Sequence, residues 1–166
     1  MLKYCAIILI TTIITGCDFR GNASTEVPSP ESQRSQLLST GHTLTPHAEG
    51  LLMDFLHYLP AHVVTCAEAD VTDDGITELI VVYGLRSAPD QMFMCLVFAG
   101  GEELTLSNVM PAPIENQRIR FRDIDTKPPL EFIVMGSKGI YSGFAIYRVT
   151  DGIVEDLFDD GMEGCC

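Results

Sequence analysis

Beyond Pro60 the chain is cut into short apolar or alternating runs, and this constrains its fold more than any other feature. Val63–Cys66, Leu79–Tyr83, Met92–Phe98, Leu104–Leu106, Ile119–Phe121, Phe132–Met135, Phe144–Val149 and Ile153–Phe158 have the length of strands and fall short of ordinary helices. Asp74-Gly75, Gly100-Gly101, Pro128-Pro129 and Asp151-Gly152 separate them as turns. Strands at that spacing predict a mostly antiparallel sheet. One segment breaks the pattern. Leu52, Phe55, Leu56 and Leu59 fall on one face of a helix that Thr45 caps, Pro46 starts and Pro60 stops. The expected fold is α+β: a mostly antiparallel β-sheet domain over residues 45–160 with one amphipathic N-terminal helix packed against it or across one end. His47, His57 and His62 flank that helix and read as surface histidines rather than a metal cluster.

The strand region contains an internal echo. Asp70-Val71-Thr72-Asp73-Asp74-Gly75-Ile76-Thr77-Glu78-Leu79-Ile80-Val81 aligns without a gap to Asp123-Ile124-Asp125-Thr126-Lys127-Pro128-Pro129-Leu130-Glu131-Phe132-Ile133-Val134. Each reads Asp-aliphatic, a turn, then Glu, an apolar residue and Ile-Val, which predicts a duplicated strand–turn–strand unit. These two segments resemble the FG-GAP type of repeat found in extracellular β-propellers, whose Asp-rich turn precedes a Glu-Leu strand. Two units are too few for a propeller. In the first copy Asp70, Thr72, Asp74 and Glu78 have the oxygen ligands of a calcium turn, and Gly75 permits its sharp bend. The twelfth position of an EF-hand, where a bidentate Glu belongs, holds Val81, and the second copy puts Lys127 in the place of Asp74. A turn whose carboxylates cap backbone N–H groups needs no ion and is the preferred reading.

Charge narrows the partners. The formal net charge is −13 and the pI about 4.4, a balance that repels nucleic acid and anionic headgroups and permits cations. The first residues carry a different message. Lys3 precedes the uncharged run Cys5–Ile14, well short of the roughly 20 apolar residues a spanning helix needs. Ile14-Thr15-Gly16-Cys17 resembles the bacterial lipobox, an aliphatic residue and two small ones before a cysteine that takes diacylglycerol. The expectation is a signal peptide over residues 1–16. Lipidated Cys17 then anchors the chain by its acyl chains to the outer face of the cell membrane. Residues 17–44, rich in Ser, Thr, Gln, Pro, Asn and Gly, read as a flexible tether.

Four cysteines remain for the domain. Cys66 and Cys95 sit on expected strands, free to pair, to pack as inert core, or to accept a metal. Cys165 and Cys166 are adjacent, after Gly161-Met162-Glu163-Gly164, in a tail over 161–166. Consecutive Cα atoms lie ~3.8 Å apart, below the roughly 4.4–6.8 Å that disulfides prefer, so a bond between them is strained. As a dithiol they form a compact soft-ligand pair suited to Hg(II), Cu(I), Zn(II) or trivalent arsenic. Glu155, Asp156, Asp159, Asp160 and Glu163 disfavour a free thiolate, whereas a bound soft cation drives deprotonation. Metal capture therefore ranks above thiol–disulfide exchange, the alternative use of the same pair. The layout of lipoprotein signal, tether, small domain and final Cys-Cys resembles the Cys-Cys-COOH (seleno)protein family SaoC, in which selenocysteine can take the place of Cys165. That resemblance implies an accessory to an ABC-type transport system that handles mercury or organomercurials. Paired cysteines at the ends of mercuric reductases offer a parallel of site, not of fold. No Ser-His-Asp set, phosphate loop or zinc-protease motif appears, so enzymatic activity is not expected.

Overall fold

The computed structural model describes residues 27–100 and 104–157. Cys17, Cys165 and Cys166 lie outside the described residues, as do the signal segment and the Cys-Cys tail. Two short helices precede nine strands that form two antiparallel sheets.

Helix α2 (Pro46–Tyr58) begins with Thr45 as its cap, the Thr45 hydroxyl accepting from Ala48 N–H at 3.3 Å. Glu68 receives both the Thr45 N–H (2.7 Å) and its hydroxyl (2.6 Å), which fixes the helix start against the first sheet. Ahead of it stands α1 (Pro30–Ser39), inside the stretch read as tether, so α2 is not the lone helix expected. Its polar sequence hid it: no apolar stripe announces the helix. Ser29 caps α1, Pro30 starts it, and Arg34 pairs with Glu49 of α2. Gln33 does the anchoring. Its buried amide donates to Pro28 O and Ala61 O and accepts from Val63 N–H at 2.9 Å.

The first sheet runs β1 (His62–Ala69), β2 (Glu78–Leu85), β3 (Ala88–Phe98) and β4 (Thr105–Leu106), with β5 (Met110–Ala112) also paired to β3. The second runs β6 (Glu115–Arg122), β7 (Glu131–Lys138), β8 (Tyr141–Thr150) and β9 (Ile153–Asp156). Leu52, Phe55 and Leu56 of α2 and Leu37 of α1 pack with Leu79, Val81, Tyr83, Cys95 and Val97 on one face of the first sheet. Its other face, with Ile80, Val82, Met94 and Leu96, meets Phe132, Val134, Ala145, Tyr147 and Val149 of the second. The layers are thus helix, sheet, sheet. Central β2 is covered on both sides, which explains why Leu79–Tyr83 is apolar at every position rather than at every other one.

The sequence echo is a structural one. In each sheet the echoed segment is the turn into the second strand of a three-strand meander, β1–β2–β3 and β6–β7–β8. Asp73 and Thr126, at matching places, both adopt the left-handed backbone, with φ 61° and 60°. The matching glutamates, Glu78 and Glu131, accept the N–H of Val71 and of Ile124, both at 2.9 Å. The copies also stack in the same sense. Phe132 and Val134 face the first sheet as their counterparts Leu79 and Val81 face the helices. The second sheet's far face bears exposed Arg118, Arg120, Arg122 and Phe144, and no further layer packs on it among the described residues.

Candidate functional site

Three places in the described chain hold residues able to do chemistry: the central thiols, the duplicated acidic turns and the far face of the second sheet.

The thiols are held apart. Cys66 lies opposite Val81, and Val81 lies opposite Cys95, so the two cysteines share one row with β2 between them. Two strand spacings separate their backbones by about 10 Å, beyond the roughly 6.8 Å limit of a disulfide. Both are buried and free. Burial first, then the nearby Glu68 charge, pushes the Cys66 thiol up to about 12. Burial also pushes Cys95 up to about 12, against a hydrogen bond from Tyr83 that works the other way. Neither ionises at neutral pH, and neither is placed to ligate a metal jointly with the other. These are inert core residues.

In the first turn Asp70 caps the bend. Its Oδ1 accepts from Asp73 N–H (2.8 Å) and Asp74 N–H (3.3 Å), and its Oδ2 from Gly75 N–H (2.9 Å). Asp74 Oδ1 accepts from Ile76 N–H at 2.8 Å, and the Thr72 hydroxyl donates to Glu78 Oε1 at 3.2 Å. All four residues expected of a calcium turn are therefore brought together, each engaged in the turn's own hydrogen bonds. Ligand oxygens of Asp70, Asp74 and Glu78 lie within 4.8 Å of one another, as do those of Asp123, Asp125 and Glu131 in the second copy. Among the described residues these are the two clusters compact enough for one ion, and no histidine belongs to either.

The copies differ in what balances them. Arg148 on β8 pairs with both Asp125 (2.7 Å) and fully buried Glu131. Burial alone would raise the Glu131 carboxyl, but the Ile124 N–H and the guanidinium outweigh it and hold the group low. Asp125 is likewise lowered, chiefly by its hydrogen bond from Arg148. One step along the register beyond Leu79–Val97, the place equivalent to Arg148 is Phe98. Glu78, 2% exposed, consequently has no cationic partner among the described residues, and burial raises its carboxyl above the ordinary value. The Lys127 that sequence placed as the second copy's cation donates its backbone N–H to Asp125, and an arginine from another strand supplies the neutralising charge.

Sequence reading passed over the third place. Arg118, Arg120 and Arg122 alternate with Ile119 and Phe121 along β6, and that alternation is itself the signal of a strand with one basic face. No helix among the described residues is long and apolar enough to cross a membrane. Comparison with known proteins finds no family model, no curated protein and no solved structure that matches the chain.

Proposed function

We propose that the chain is a membrane-anchored extracytoplasmic lipoprotein, held by lipid on Cys17, that binds a thiophilic metal or organometal through Cys165 and Cys166. Mercury, as ion or organomercurial, is the cargo that its resemblance to the SaoC family suggests, and an ABC-type transporter is the partner that receives it. One observation carries the reading: the two thiols inside the fold are separated, buried and unionised, which leaves soft-metal chemistry to the adjacent pair. Acidic residues crowd that pair in sequence, so it captures a cation more readily than it attacks a disulfide. Titration of the chain lacking its first 16 residues with Hg(II), with free thiols counted, tests this. Both thiols of the pair disappear per ion bound, and the Cys165→Ser/Cys166→Ser variant loses that uptake. Unchanged binding by the variant rejects the reading.

The first acidic turn supports a second reading, a calcium-stabilised module. Its favouring observation is the contrast between copies: three carboxylates converge at Asp70, Asp74 and Glu78 without the arginine that neutralises their counterparts. Calcium then raises the melting temperature of the wild type and leaves that of Asp74→Ala unchanged. Equal responses in the two proteins dismiss it.

A further inference from the structure

We infer that the far face of the second sheet is a binding groove for an amphiphilic organic anion, one with a carboxylate or sulfonate head and an apolar body about two rings long. The groove has a volume of about 670 Å³, within the range of small-molecule sites. Ten residues line it, among them Arg118, Arg120, Ser137, Ser142, Met135 and Phe144, and none is acidic. In a chain with 23 carboxylate side chains and ten lysines and arginines, that local reversal of sign is a property of the site.

Three features set the ligand's shape. First, Arg118 and Arg120 stand two residues apart on β6 and point to the same side, and neither has an ion-pair partner among the described residues. Two unpaired guanidinium forks suit a carboxylate or sulfonate. Second, Arg118 is opposite Met135, which is opposite Phe144, so an apolar track runs from the guanidinium across β7 to β8. Two strand spacings make that track about 10 Å long. Phe144 at its end is 55% exposed, a large apolar surface left uncovered. Third, Ser137 and Ser142 flank the track as the next matching pair. Asn116 Nδ2 donates to Ser137 Oγ at 2.8 Å, so the Ser137 hydroxyl proton is left to donate elsewhere. Of the neighbouring carboxylates, Glu115 accepts the Gly139 N–H at 3.3 Å, and Glu131, opposite Arg122, is paired with Arg148.

Duplication explains why the face is open. Thr65, Ala67 and Ala69, the first-sheet counterparts of the three β6 arginines, are small enough for sheet to pack on sheet. Arginines at those places obstruct a further layer and leave a charged, ridged surface instead.

The test uses 8-anilinonaphthalene-1-sulfonate, an anion with an aromatic body whose fluorescence is readable in a chain without tryptophan. The folded protein binds one equivalent saturably. Arg118→Gln/Arg120→Gln weakens binding about ten-fold or more, the scale of lost charge-assisted hydrogen bonds, and Phe144→Ser weakens it independently. 2-Naphthoate competes, and inorganic phosphate at equal ionic strength competes poorly because it has no apolar body. Both variants are at exposed positions, and unchanged melting curves confirm that they fold. Wild-type affinity in both variants overturns the proposal. So does binding that varies with protein concentration alongside dimer formation in light scattering, which would assign the face to a second copy.

Discussion

Two glutamates at matching places in the duplicated turns meet opposite electrostatic fates. Glu78 is buried beside Asp70 and Asp74 with its carboxyl raised, whereas Glu131 is buried under Arg148 with its carboxyl lowered. Linkage gives the consequences opposite signs. For Glu78 the contribution to stability is complete below the ordinary glutamate value and is lost as pH rises through its raised folded value. For Glu131 it is present above the ordinary value and is lost as pH falls through the lowered folded value. Glu78→Gln keeps an oxygen for the Val71 N–H and a donor for the Thr72 hydroxyl, so thermal melts at neutral pH should show it at least as stable as wild type. Glu131→Gln should melt lower at neutral pH, with the gap closing in acid. Arg148→Met should be worse still, because it leaves a buried carboxylate unpaired. Equal pH profiles for the two glutamine variants would contradict this account. Sequence exposed the equivalence of the two glutamates but not their difference, since Arg148 and Phe98 reach them across strand pairings.

Among the elements, legibility followed apolar pattern. The strands of both meanders and helix α2 stand where short apolar runs, alternation and helical spacing put them, because a strand buries one face or both and a helix one stripe. Helix α1 has no such stripe. It is held by the Gln33 amide, and one glutamine in a polar stretch carries no signal at the level of sequence. Gln33→Leu removes partners from Ala61 O and Val63 N–H and should cost about 1–3 kcal/mol in denaturant unfolding. Strand β5, Met110-Pro111-Ala112, was also unreadable, being three residues long with a proline at its centre. Gly136 carries the packing of the second meander on the segment before β6. A Cβ there would meet the Pro113 ring and lie 2.8 Å from Glu115 O, so Gly136→Ala should cost about 1–3 kcal/mol by overpacking. A neutral substitution would mean that β6 shifts freely against β7.

At the scale of the whole molecule, the layers make the first sheet the common floor of both hydrophobic clusters. Phe55 sits at the centre of the helix-facing cluster with its ring 5.2 Å from that of Tyr83, and Phe55→Ala should cost about 3–5 kcal/mol in the same unfolding measurement. The acidic turns and the arginine face lie off this floor, the first with their glutamates buried and the second exposed. Their legibility was uneven. The acidic turns show as a motif, whereas the arginine row acquires meaning only once β7 and β8 are laid beside it.

Cys66 and Cys95 flank β2, which both layers cover, and this gives the molecule an internal clock. Cys66 stands on β1, the edge of the first sheet, and Cys95 on the inner strand β3, so fraying of the edge admits an alkylating reagent to Cys66, whereas Cys95 waits for an opening that parts the helices from the sheet. The two sulfurs should then be consumed at two rates, and the slower one counts how often the native architecture comes apart as a unit.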